Sequence, residues 1–214
     1  MRRTAQLGCA ALLALALTST ASASLVNGGF ETGDLTGWTV ALTPNGQTAV
    51  QTVDMFDIDG PGPIATSYAA KFCVGKAVSS GAPGGIELTQ TLFLEAGTTY
   101  RLHFDYAAAN VDTNPTHYSI DPCGTFDLIV NGISQAHGEI GELLNGESAY
   151  GALSANYTPA TSGDFVLGAR ITRPYRPPVY GGQPVLFQYV DNFYVPEPSA
   201  LGLIGLAALW LRRR

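Results

Sequence analysis

The feature that most constrains this chain is its punctuation. Between residues 24 and 195, no stretch of a dozen residues keeps apolar positions at i, i+3, i+4 and i+7 without a glycine or proline interrupting it. Short β-rich runs recur instead, at 38–42, 48–53, 67–74, 86–94, 99–106, 126–130, 165–171 and 186–195. Two of them alternate cleanly. Tyr100, Leu102, Phe104 and Tyr106 share one face of their run, and in 186–194 the even positions oppose the odd ones. Turn signals separate the runs: Asn45-Gly46, Asp59-Gly60-Pro61, Pro83-Gly84-Gly85, Asn131-Gly132, Asn145-Gly146 and Gly181-Gly182. Asn131-Gly132, between two β-like runs, is the best candidate for a tight hairpin. Many short strands at near-regular spacing predict an all-β antiparallel sandwich. Two long segments, 107–124 and 172–184, read as irregular, and loops of that length are usually functional or mobile.

The two ends read differently from the middle. Arg2 and Arg3 precede an apolar stretch at 10–17, and Ala21-Ser22-Ala23 follows as a small-residue cleavage site. This is the secretory signal-peptide pattern, over 1–23. Cys9 precedes the apolar stretch, which is the wrong order for a lipidated cysteine. At the other end, Val195-Pro196-Glu197-Pro198-Ser199 is followed by apolar residues 200–211 and then by Arg212, Arg213 and Arg214. A helix over those apolar residues spans ~18 Å against a ~30 Å hydrocarbon core, and the arginines stay on the cytoplasmic side. Such a segment is a short hydrophobic helix suited to transient membrane association and poor as a lasting anchor. The ordered elements at 195–214 closely resemble the PEP-CTERM sorting signal. That resemblance implies processing by an exosortase, a membrane transpeptidase-like enzyme, and delivery to the outside or cell surface of a Gram-negative bacterium that makes extracellular polysaccharide.

The chain has 11 basic residues, five of them in these terminal segments, and 17 acidic residues, one of them there, so the middle carries a net charge of −10. That balance argues against nucleic acid or anionic lipid as a partner and is compatible with bound Ca²⁺. Cys73 and Cys123 lie in the middle region. An oxidising compartment permits a disulfide between them, and two separate buried thiols is the other reading.

One further constellation spans almost all of residues 24–194. It opens with Asn27-Gly28-Gly29-Phe30-Glu31 and Gly37-Trp38, and continues through Gln90 to Gly97-Thr98-Thr99-Tyr100-Arg101-Leu102-His103-Phe104. It closes with Gln188-Tyr189-Val190-Asp191-Asn192-Phe193-Tyr194. In order and content this is similar to the galactose-binding-like jelly rolls, in particular the sandwich modules that bind plant polysaccharide. The resemblance implies a jelly-roll β-sandwich with Trp38 in its core. It also implies a structural Ca²⁺ where the first and last strands meet, held by Glu31, the Gly29 carbonyl and Asp191. Turn caps or lysine pairs are the alternative roles for those two carboxylates. Asp57-Ile58-Asp59-Gly60 is a fragment of a calcium loop without its distal glutamate, and reads as a solvated acidic loop.

Sugar sites combine aromatic faces with a few hydrogen-bonding groups. Tyr118, Tyr175 and Tyr180, with Arg173 and Arg176, are the candidates in the long loops. Prolines 174, 177 and 178 hold that segment extended, which presents its side chains. The competing reading packs the segment over the sandwich edge. No Ser/His/Asp trio is legible, Gly132-Ile133-Ser134-Gln135-Ala136 lacks the second glycine of a nucleophile elbow, and His103, His117 and His137 are scattered. The expectation is therefore an exported, non-catalytic protein that binds extracellular polysaccharide or forms part of the matrix. A structural surface protein without glycan affinity is the alternative, and a glycan-active hydrolase the third.

Overall fold

The computed structural model describes residues 24–60, 67–114, 116–117 and 119–195. The signal-peptide reading over 1–23 and the sorting-tail residues Pro196, Glu197, Pro198 and Arg212 to Arg214 lie outside the described residues, as does Tyr118.

The strands are β1 (Thr39–Leu42), β2 (Gly46–Phe56), β3 (Ser67–Lys76), β4 (Gly84–Leu94), β5 (Tyr100–Asn110), β6 (Ser119–Ile120) and β7 (Gly124–Val130). They continue with β8 (Ile133–Ile140), β9 (Leu143–Leu144), β10 (Ser148–Tyr157), β11 (Gly163–Arg173), β12 (Val179–Tyr180), β13 (Gln183–Pro184) and β14 (Leu186–Tyr194). Among the described residues there is no helix, and hence none long and apolar enough to cross a membrane. Two five-stranded antiparallel sheets, β1-β4-β11-β7-β8 and β10-β5-β14-β3-β2, pack face to face in an all-β jelly-roll sandwich. Two-residue ribbons β6-β9 and β12-β13 sit in the connections.

Alternation explains the core. Tyr100, Leu102, Phe104 and Tyr106 of β5 point inward, as the sequence predicts, and meet Phe126 and Leu128 of β7 and Phe72 of β3. Phe72, Phe104 and Phe126 are fully buried, worth ~1.5–3 kcal/mol each against exposure. Asn131 and Gly132 both have positive φ (49° and 75°) and join β7 to β8 with Val130 facing Ile133, the tight hairpin expected.

Strand β14 departs from its predicted alternation. Leu186, Gln188 and Val190 face the core, but Asn192 has φ +52° and the pairing with β5 shifts between Asp191 and Tyr194. The irregularity turns the next side chain inward. Phe193 thus packs on Trp38 at 4.5 Å between ring centroids and on Phe104 at 4.8 Å. Trp38 itself is core, with its indole N–H donating to the Asn27 carbonyl at 2.9 Å. The opening segment is tied to the last strand here: the Phe193 N–H donates to the Gly28 carbonyl at 2.9 Å, and a Cβ on Gly28 would collide with the Phe193 carbonyl.

Cys73 and Cys123 are separate, buried thiols, so the bridge considered from the sequence is not formed. Burial pushes both up to about 11, leaving them protonated and unreactive at neutral pH. Cys123 packs in the inter-sheet core and donates to the Ile120 carbonyl at 3.1 Å. Cys73 stands opposite Val50 on β3. Beside them Gln188 crosses the interior: its Oε1 accepts from the Val74 N–H at 3.0 Å, and its Nε2 donates to the Cys123 carbonyl at 2.7 Å.

Candidate ligand-binding site

The proline-rich segment after β11 takes elements of both readings given to it. Its backbone packs over the sheet edge. The Lys76 N–H donates to the Tyr175 carbonyl at 2.9 Å, and the chain at 175–177 lies so close on Gly75 that any side chain there would strike it. Two of its side chains stand out: Tyr175 is 57% exposed and Tyr180 42% exposed. Arg176 is also exposed. Arg173 departs from the expectation of a presented ligand group. It is 2% exposed, with its Nε on the Pro122 carbonyl at 2.8 Å and its Nη1 on the Arg176 carbonyl at 3.1 Å. Burial lowers its pKa from the usual guanidinium value, and the two carbonyls compensate. Arg173 is thus the strut that shapes the segment.

Together these residues border an open groove at one end of the sandwich. Ser119, Asp121, Tyr175, Arg176, Pro178 and Tyr180 line it. Tyr180 rests on the His117 ring, 4.3 Å between centroids, and His117 Nδ1 contacts Asp112 Oδ2 at 2.6 Å. The Asn114 N–H, with help from His117, holds the Asp112 carboxyl below its ordinary range. The groove thus combines two presented aromatic faces with a cation, a carboxylate and a hydroxyl. Sequence reasoning pointed to Tyr175, Tyr180 and Arg176. It missed Ser119, Asp121 and His117 as neighbours of those rings, because only the folding of the 110–124 connection brings them there.

The outer face of the sheet containing β5 has a second set of aromatic residues, but they satisfy one another. Phe56 stacks on Tyr189 at 3.7 Å and 7°, and lies 6.1 Å from Tyr150. Lys71 sits 4.1 Å over the Phe187 ring while its ammonium pairs with Asp54 at 2.8 Å. Ile58, 3% exposed, tucks into this cluster, so the 57–60 segment covers the rings. The acidic loop expected at Asp57 and Asp59 is thus pinned by its one apolar residue.

Asp191 and Glu31 both approach Gly29. Asp191 is fully buried, accepting from the Asn192 N–H at 2.7 Å and from the Ser67 hydroxyl at 3.0 Å. Burial above all, with the charges of Glu31 and Asp105, pushes its carboxyl up to about 7. Among the described residues, Asp191 is in none of the ion pairs, and no three His, Cys, Asp or Glu side chains converge as a metal cage.

Each histidine has its own aspartate: His103 with Asp105, His117 with Asp112 and His137 with Asp127. Two of these pairs continue to a hydroxyl: the Ser134 hydroxyl donates to the Asp127 carboxylate at 2.7 Å, whereas in the other pair it is the imidazole that meets the hydroxyl, with His103 Nδ1 2.8 Å from Ser154 Oγ.

No protein-family model and no curated protein sequence matches the chain. Among solved structures, it is similar to a family 61 carbohydrate-binding module, TmCBM61, solved with β-1,4-galactotriose. The TM-score is 0.45 at 18% identity, over 82% of this chain and 98% of that one. It is also similar to a CBM4 structure, with a TM-score of 0.40 at 13% identity over 81% and 99% of the two chains. A third is the CBM22-1 xylan-binding domain of Paenibacillus barcinonensis Xyn10C, with a TM-score of 0.36 at 12% identity over 80% and 92%.

Proposed function

We propose that this protein binds extracellular polysaccharide, without cleaving it, through the groove between Tyr175 and Tyr180. The observation that carries the reading is the exposure of those two rings on a segment whose backbone is fixed by Arg173, Gly75 and Lys76. Apolar sugar faces stack on such rings, while Arg176, Asp121 and Ser119 offer donors and acceptors to the hydroxyls. Preorganisation lowers the ordering cost of binding. A glycan array tests it. Binding to at least one polysaccharide is expected, weakened about tenfold or more by Tyr175→Ala or Tyr180→Ala, a loss of ~1.4 kcal/mol. An array without any signal favours the structural surface protein instead.

The same reading includes a structural Ca²⁺ at Glu31, Asp191 and the Gly29 carbonyl. A fully buried carboxylate beside a second acidic group and without an ion-pair partner fits a hard cation that takes oxygen ligands. It further includes export through residues 1–23 and sorting by an exosortase through 195–214, which delivers the sandwich to the cell exterior. N-terminal sequencing of the exported protein checks the first of these: a start at Ser24 is expected, and retention of Met1 contradicts it.

A further inference from the structure

The outer face of β5 and β10 carries a hydrogen-bonded chain that glycan binding does not use. His103 pairs directly with Ser154 across the two strands, and Arg101 pairs with Asn156. Residues two apart on a strand share a face, so Arg101, His103, Asp105, Ser154 and Asn156 stand side by side. The Asp105 carboxylate lies 3.1 Å from His103 Nε2, and His103 Nδ1 lies 2.8 Å from Ser154 Oγ. The second oxygen of Asp105 accepts from the Asn192 side-chain amide at 2.9 Å. A carboxylate can only accept, so the proton of the neutral imidazole sits on Nε2. Nδ1 then presents its lone pair to the Ser154 hydroxyl. Both distances lie within the reach of a general base and of the group that orients it.

We propose that Ser154 is an acyl-accepting nucleophile, with His103 as its base and Asp105 as the positioning residue, and that this face hydrolyses small carboxylic esters. Ser154 Oγ forms a bond to the acyl carbon as its proton passes to His103 Nδ1. The C–O bond to the alcohol then breaks, and the alcohol leaves with that proton. Water, deprotonated by His103, attacks the acyl-serine, releases the carboxylic acid and returns the proton to Ser154. Ser154 is exposed, and β10 ends its sheet, so an ester reaches the hydroxyl without rearrangement. Arg101 and Asn156 flank Ser154 around an open depression and offer donors to the oxyanion that develops on the carbonyl. No sequence motif announces the trio, because Ser154 is 51 residues from His103 and the two meet only through strand pairing.

The test is covalent labelling of the intact protein with a fluorophosphonate, read by mass spectrometry, alongside hydrolysis of p-nitrophenyl acetate. A single adduct located on Ser154 is expected, together with ester turnover that Ser154→Ala abolishes. His103→Gln is expected to slow both labelling and turnover by about 100-fold or more. Asp105→Asn is expected to lower kcat about tenfold or more with KM unchanged, which a merely structural role would not produce. Wild-type protein without an adduct overturns the proposal. So does an adduct that forms equally fast in His103→Gln, or ester turnover equal in Ser154→Ala and wild type. The glycan array reads a different groove, so either reading can fail without the other.

Discussion

In EDTA, the protein is expected to lose about 4 kcal/mol of stability as the pH rises from about 4 to above 7, and the proposed calcium site predicts that Ca²⁺ removes that loss. The group responsible is Asp191, whose carboxyl is pushed from 3.8 up to about 7 by burial in the folded chain. Between those values the folded protein binds a proton that the unfolded chain has released, so stability falls as pH rises. The contribution is fully present below about 3.8 and gone above about 7, and its size is about 4 kcal/mol from the free energy per decade of proton affinity. In the proposed calcium site, a divalent cation against Glu31 and Asp191 would take the place of the proton. Bound only to the folded state, it stabilises by about 4 kcal/mol at a thousandfold excess over its Kd. Thermal melts at pH 5 and pH 8, each with EDTA and with Ca²⁺, measure both effects. Asp191→Asn provides the internal control. Its amide keeps an acceptor for Asn192 and cannot ionise, so in EDTA at pH 8 it is expected to outlast wild type and to ignore Ca²⁺. Identical wild-type melts in EDTA and Ca²⁺ at pH 8 contradict the calcium assignment.

Gln188→Leu is expected to cost about 2–6 kcal/mol although the replacement is apolar and similar in size. Gln188 is fully buried between the sheets, and each end of its amide serves a backbone group that has lost water. Leucine leaves the Val74 N–H and the Cys123 carbonyl buried without their partner, at ~1–3 kcal/mol each. The bond to Cys123 also fixes the start of β7, which follows the connection bordering the tyrosine groove. Equilibrium unfolding in denaturant reads the change from the midpoint at constant slope. A loss below about 1 kcal/mol would mean that water or a shifted backbone replaces the amide.

Much of this architecture was written in alternation. Strands β1 to β5, β7, β11 and β14 correspond to the short β-rich runs, of which those of β5 and β14 alternate cleanly, and Trp38 is core as expected. Strands β8 and β10 escaped notice for a physical reason. Their residues, Ile-Ser-Gln-Ala-His-Gly-Glu-Ile and Ser-Ala-Tyr-Gly-Ala-Leu-Ser-Ala-Asn-Tyr, lie at sheet edges and bury little, so hydrophobic period gives no signal. Missing β10 concealed Ser154 as a neighbour of His103. The 107–110 stretch read as loop because its alanines are small, yet small residues are what β5 needs beneath Tyr189 and Ile58. At the site, Tyr175, Tyr180 and Arg176 were legible from the prolines around them. Arg173 was not, because only tertiary packing sends its guanidinium to the Pro122 carbonyl.

The central claim, that the tyrosine groove holds polysaccharide, is tested most directly by calorimetric titration of an array-positive glycan into wild type and into the Tyr175→Ala/Tyr180→Ala double variant. Saturable binding by wild type is expected, with a Kd about 100-fold weaker in the double variant, or ~2.7 kcal/mol. An unchanged Kd in a double variant that melts like wild type would contradict it.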